Sequence, residues 1–320
     1  MPQAATHSVV IGLSAVVVAI RDGEAVVLTV RPRGQDLHSL PFGPFDPEGQ
    51  RTFELALRAF VTEQTRFDLG YVEQLYTFGD KGRDAPLADV GSGAARVISV
   101  GYLALAPAAP DSHSAQSDWH PWSRFFPWED WREGRPPAHG PIEEALRRWA
   151  EGDASRLARA RLAFAMDGAP WNEERVLERY ELLYEAGLVH EAARDRGERA
   201  AFQPEGLKAA LGEPMISDHR RILATALSRL RGKMKYRPVV FELMPEAFTL
   251  SALQRALEAI LGAPLHKQNF RRALERAGLV EGLGRLETDT GGRPAELFRF
   301  RREILRARPV SGLSLPLVRD

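Results

Sequence analysis

Residues 40–84, LPFGPFDPEGQRTFELALRAFVTEQTRFDLGYVEQLYTFGDKGRD, constrain this chain most. Proline and glycine crowd 41–49, which predicts a loop. From Thr52 the apolar residues Phe53, Leu57, Phe60 and Val61 recur with a period near 3.6, which predicts an amphipathic helix. Two apolar, β-branched runs precede the loop, 9–20 and 25–30. Asp22-Gly23 between them marks a hairpin turn. Two more strands are predicted after the helix, at 71–78 and 96–106, the latter apolar enough to be central. The long Gly- and Asp-rich stretch 79–93 between them has the length of a functional loop. Phe78, Asp80, Arg83 and Asp84 are therefore candidate ligand contacts, since an aromatic ring stacks a base and an arginine forks to a phosphate.

Composition narrows the class. A chain of 320 residues allows two or three domains, and 44% hydrophobic with 27% charged residues is ordinary for a globular protein. There is no cysteine, so disulfides, Cys-based zinc sites and thiol nucleophiles are excluded. The apolar run 9–20 is about half a membrane span and has no basic stretch before it, so a soluble, cytoplasmic protein with no membrane partner is expected. The net charge of zero hides an asymmetry: residues 219–320 carry 20 Lys/Arg against 10 Asp/Glu, and the remaining 218 carry 23 against 33. A basic C-terminal third points to a polyanionic partner.

Trp119, Trp122, Trp128 and Trp131, with Phe125 and Phe126 between them, stand in a Pro- and Ser-rich stretch, 107–141. So many aromatics predict burial against the protein's own body. His113, His120 and His139 share no ligand spacing, so no metal is expected there. Helical patterns follow at 142–150, 156–166 and 172–187 without a catalytic constellation. Residues 218–232 predict a further helix, and 236–243, YRPVVFEL, a strand. Thr249 caps a predicted helix ending near Leu261, Gly262-Ala263-Pro264 is a tight turn, and a second helix is expected over 265–277. That pair has a helix-turn-helix signature. Its second helix offers His266, Lys267, Gln268, Asn269, Arg271 and Arg272, types that bond to phosphates and base edges in a major groove. A β-hairpin over 279–301 reads as a wing, with Arg293 at its tip suited to a phosphate or minor-groove contact.

The loop–helix resembles the Nudix box, G-x5-E-x7-R-E-U-x-E-E-x-G-U, aligned on Glu63-Gln64-Thr65-Arg66-Phe67. Arg51 then replaces the first glutamate, Ala59-Phe60 the Arg-Glu pair, and Gln64 the second glutamate of the last pair. Carboxylates at i, i+3 and i+4 share a helix face and hold Mg2+ against a pyrophosphate. Phe60, Glu63 and Gln64 offer one, so Glu63 is a remnant, no catalytic or metal site is expected and no cofactor is required. In that fold, basic residues after the hairpin face the diphosphate, which assigns Arg31 and Arg33. Taken with Gln74–Asp84, Arg96–Leu105 and the segments 218–243, 248–272 and 291–300, the chain resembles the Nudix-related transcriptional regulators of NAD metabolism. The helical stretch 142–211 departs from their compact members and resembles a longer subfamily.

The resemblance implies an α+β chain: a Nudix-like α/β/α sandwich with a helical insertion, then a C-terminal winged helix-turn-helix domain. The expected division is 1–107 and 215–244 for the sandwich, 108–214 for the aromatic loop and helical insertion, 245–308 for the winged helix and 309–320 for a tail. It further implies a homodimeric repressor of NAD biosynthesis genes on an inverted-repeat operator in double-stranded DNA. Its effector would be ADP-ribose or another NAD-related nucleotide, read near Arg31, Arg33, Phe78, Asp80, Arg83 and Arg96. The competing reading is a Nudix-type hydrolase of a nucleoside diphosphate derivative, with a metal site rearranged onto Glu48, Glu54, Glu63 or Glu73.

Overall fold

Alternate side chains of the long N-terminal strand point to opposite faces, and both faces are covered. The computed structural model describes residues 9–80, 96–110, 116–198, 205–287 and 294–303. The strands in chain order are β1 (Val9–Arg21), β2 (Glu24–Val30), β3 (Phe42–Pro44), β4 (Tyr71–Phe78), β5 (Arg96–Leu105) and β6 (Ser117–Pro121), followed by β7 (Phe248–Thr249), β8 (Val280–Glu287) and β9 (Ala295–Phe300). The helices are α1 (Phe53–Thr65), α2 (His139–Trp149), α3 (Ala154–Phe164), α4 (Val176–Glu185), α5 (His190–Asp195), α6 (Glu205–Ala210), α7 (His219–Met234), α8 (Leu250–Leu261) and α9 (Lys267–Ala277).

The first six strands form one sheet in the order β4-β5-β1-β2-β6, with β3 beside β1. The hairpin turn forms as expected, Asp22 and Gly23 both taking positive φ of 53° and 80°. Leu13, Ala15, Val17 and Ala19 of β1 join Ala56, Leu57, Phe60 and Val61 of α1 on one face. Val16 and Val18 join Leu103, Leu105 and the apolar side of α7 on the other. This is the α/β/α sandwich.

Two segments depart from expectation. Residues 236–243 do not close the sheet as a strand: Val239–Leu243 is a 3-10 turn. Pro238 has no N–H for a ladder, and the turn buries Val239, Val240, Phe241 and Leu243 together. Phe241 instead stacks on Phe300 of β9, ring centroids 4.1 Å apart. Within the expected aromatic loop, Ser117–Pro121 is the edge strand β6, paired with β2 from Val26↔Pro121 to Val30↔Ser117. Segment 108–214 thus supplies a strand as well as helices. Trp119, Trp122, Trp128, Phe125 and Phe126 are buried, as expected.

The helix-turn-helix is formed by α8 and α9, with β7-β9-β8 as the wing sheet. The Thr249 hydroxyl accepts from the Ala252 N–H at 3.1 Å, capping α8. The second helix starts at Lys267 rather than Leu265, after the turn through Pro264. This domain is seated on the body through a buried charge cluster. The Glu129 carboxylate accepts from Arg179 of α4 and Arg231 of α7, at 2.8 Å and 2.6 Å for its Oε2. Arg231 also donates to Ile260 O at 2.8 Å, at the end of α8. The Trp131 N–H donates to Gly262 O at 2.7 Å. Gly262 has φ +64°, and a Cβ there would lie 2.3 Å from Glu129 O, so only glycine fits this docking.

Candidate functional site

Four places concern the candidate residues: the loop–helix surface of α1, two pockets on the sandwich, and the exposed face of α9. On α1, Phe60 is buried against Gly43 of β3, where a Cβ would lie 3.2 Å from the phenyl ring. The Gln64 amide is spent on β3. Its Nε2 donates to Phe42 O at 2.6 Å and its Oε1 accepts from Phe42 N–H at 3.3 Å. Glu63 is exposed. Glu54 is paired with Arg58 at 2.8 Å, and Glu73 with Lys233. Glu48 sits exposed in the loop, its N–H donating to Asp46 Oδ1 at 2.9 Å. Among the described residues no three His, Cys, Asp or Glu side chains are grouped to hold a metal ion. The donor set at positions 60, 63 and 64 of α1, one exposed carboxylate beside an engaged amide and a phenyl ring, does not fit a divalent cation.

The candidate ligand residues fall into two places. Phe78 is buried under Arg221 of α7, whose guanidinium carbon lies 5.4 Å from the ring centroid. Asp80 forms an ion pair with the same Arg221. Arg96 reaches the same end of the sheet, donating to Gly79 O at 2.6 Å. Phe78 lines a groove of about 530 Å³ with Tyr76, Arg221, Arg229 and Tyr236. Sequence reasoning missed those four; only Tyr76 had a signal, in the alternation of β4 that puts it two residues from Phe78 on the same side, whereas Arg221, Arg229 and Tyr236 arrive from α7 and the turn after it. Arg31 belongs elsewhere. With His38 and His120 it lines a second pocket of about 210 Å³ between β2 and β6. Its Nη2 lies 3.0 Å from His38 Nε2, and the two imidazoles meet edge-on with centroids 4.5 Å apart. Burial, with His120, Arg31 and Arg124 adding to it against Glu213, pushes His38 down to about 4, so it is neutral at pH 7. Arg33 is exposed, and Arg83 lies outside the described residues. The expected single cluster is therefore two sites on opposite sides of β1 and β5, because β2 and β4 flank that pair.

On α9, Phe270, Ala273 and Leu274 are buried. His266, Lys267, Gln268, Asn269, Arg271 and Arg272 are all exposed along its first two turns. The helical period alone requires this division. Arg293 lies outside the described residues.

An α/β/α sandwich whose box positions 60 and 64 carry no carboxylate, followed by a winged helix whose second helix exposes a polar, basic face, defines the class of two-domain fold. Residues 240–300 match the family model of the NrtR DNA-binding winged helix domain. The chain is 42% identical over 98 residues to the ADPR responsive transcriptional repressor NtrR of Acinetobacter baylyi. That alignment spans 29% of this chain and 37% of the relative. The fold matches Shewanella oneidensis NrtR complexed with a 27mer DNA, with a TM-score of 0.56 at 20% identity over 96% of this chain and 99% of that one. It also matches a MutT/nudix family protein from Enterococcus faecalis, with a TM-score of 0.52 at 16% identity over 94% and 89%. The C-terminal domain is an NrtR-type winged helix, and the whole chain has the NrtR fold.

Proposed function

We propose that this chain is a ligand-responsive, DNA-binding transcriptional repressor of NAD biosynthesis genes, with ADP-ribose or a related NAD metabolite as effector. The observation that carries the reading is the pairing of an exposed, basic α9 face with a sandwich whose box positions 60 and 64 serve packing, not metal. The similarity of one segment to an ADPR responsive repressor supports the choice of effector. Phe78, Asp80 and Arg96 near Arg221, Arg31 at the histidine pocket, and Arg33 and Arg83 are the proposed ligand contacts. His266, Lys267, Gln268, Asn269, Arg271, Arg272 and Arg293 are the proposed DNA contacts. A homodimer would set two recognition helices about one DNA turn apart, on an inverted repeat. In this role the protein works without hydrolysis or a required cofactor. No helix among the described residues is long and apolar enough to cross a membrane.

The test has two arms. Duplexes selected by the protein from a random library should contain an inverted repeat, and ADP-ribose should shift both the melting temperature and the affinity for those duplexes. Mg2+-dependent turnover of ADP-ribose that is lost in Glu63→Gln would overturn the regulator reading in favour of a hydrolase.

A further inference from the structure

A helix that reads base edges must be held to about 0.5 Å, because a bidentate contact to a base tolerates little displacement. Burial of Phe270, Ala273 and Leu274 fixes which face of α9 turns inward. Apolar contact is not directional, so burial alone does not fix the helix along or about its own axis. A side-chain cap would fix the entry, as Thr249 does for α8. His266, at the N-cap of α9, makes no such bond.

Two residues of α8 supply the missing hold. Gln254 and Glu258 stand one turn apart on one helix face. The Leu265 N–H donates to Glu258 Oε1 at 2.9 Å, and Leu265 O accepts from Gln254 Nε2 at 3.1 Å. The two side chains also bond each other, Gln254 Nε2 donating to Glu258 Oε1 at 3.0 Å. Both main-chain polar groups of Leu265 are thus gripped, one position before the N-cap of α9. Glu258 closes the same turn through its main chain, its carbonyl accepting from Gly262 N–H at 2.8 Å. Pro264, just before Leu265, has no N–H to offer. Gly262 O and Ile260 O are themselves bonded by Trp131 and Arg231 of the body. A line of directional bonds therefore runs from the body, through the end of α8, to the first turn of α9.

We infer that Gln254 and Glu258 are positioning residues for base reading by α9. The inference rests on the DNA-binding reading proposed above and names the device that sets its recognition helix. Both residues act through the Leu265 main chain, not by contact with DNA. Long Lys and Arg side chains on phosphates absorb a small shift of the helix, whereas contacts to base edges do not. Loss of the clamp should therefore cost discrimination between sequences and leave general affinity for DNA in place.

The test is fluorescence anisotropy of the full chain with two duplexes, one selected by the wild type from a random library and one of the same composition with its sequence scrambled. Gln254→Met keeps length and helix propensity but removes the donor, and Glu258→Leu removes the acceptor. Each should lower the ratio of selected to scrambled affinity by about tenfold, while affinity for the scrambled duplex stays within about twofold of wild type. Glu258→Gln keeps an acceptor oxygen and should hold the ratio within about twofold of wild type. A wild-type ratio in both Gln254→Met and Glu258→Leu would overturn the inference and leave the DNA-binding reading standing. Parallel loss on both duplexes, or a Glu258→Gln variant as indiscriminate as Glu258→Leu, would also overturn it, since a merely structural contact acts on the whole domain. A wild type that prefers no selected duplex over its scrambled partner would overturn the DNA-binding reading and the inference with it.

Discussion

The side-chain amide of Gln64 satisfies both main-chain groups of Phe42, donating to its carbonyl at 2.6 Å and accepting from its N–H at 3.3 Å. Phe42 begins β3, which pairs with β1 from Gly12↔Pro44 to Ser14↔Phe42. A residue that the box pattern reserves for a metal-binding carboxylate thus works as an edge-strand partner, bridging α1 to the sheet.

Gln64→Glu tests that bridge. A carboxylate cannot donate to Phe42 O and would face it with like partial charge, so stability should fall by about 1–2 kcal/mol in urea unfolding. An unchanged unfolding midpoint would show that the amide carries no structural load.

Glu129→Gln should be the most damaging single-residue change on the body. Burial alone would raise the Glu129 pKa, but the Arg179 and Arg231 guanidiniums outweigh it and hold the carboxyl below its ordinary value of 4.5. Neutralising it leaves two buried cations uncompensated, at a cost of about 3–5 kcal/mol. The same depressed pKa means its stabilisation is complete above pH 4.5 and declines as pH falls below that value. The gap between the thermal melts of the two proteins should therefore narrow as pH falls from about 7 to about 3.

The buried histidines impose a second pH dependence. Burial, reinforced by Arg194, pushes His219 down to about 3 from 6.5, and its Nδ1 accepts from Leu40 N–H at 3.1 Å. His38 is pushed to about 4. Below pH 6.5 the unfolded chain takes up protons that the folded chain refuses. Stability should decline from pH 6.5 towards about 4 and 3, by up to about 1.4 kcal/mol per pH unit for each histidine. His219→Asn keeps an acceptor without the titration, so its stability profile should be flatter over this range; an identical slope would refute the assignment.

Arg271→Ala and Arg272→Ala should each weaken DNA binding about tenfold, or about 1.4 kcal/mol, in fluorescence anisotropy. If the lost contact is to phosphate, the slope of log affinity against log salt should fall by about 1. The ADP-ribose-induced melting shift should be the same as in wild type. Parallel loss of effector binding would point to a folding defect instead.

The parts legible in the sequence were those written in local periods. The 3.6-residue spacing from Thr52, the Asp22-Gly23 turn, the capped helix after Thr249 and the polar stripe from His266 to Arg272 all appear in the fold. Two local signals misled. YRPVVFEL has β-branched residues, yet Pro238 and the demand to bury four apolar side chains at once produce a turn. Ser117–Pro121 has little β propensity, yet the open edge of β2 recruits it into the sheet.

Order along the chain settled that a sandwich precedes a basic helix-turn-helix. Tertiary structure alone decided which side chains meet. Arg31 and Phe78 both flank strands of one sheet, but β1 and β5 stand between them, so they serve different pockets. Glu129 finds Arg179 and Arg231 at separations of 50 and 102 residues. Backbone periodicity encodes neighbours a few residues apart, whereas these contacts are selected by the requirement that a buried charge be paired. That same requirement locks the winged helix to the body through Arg231 and Ile260.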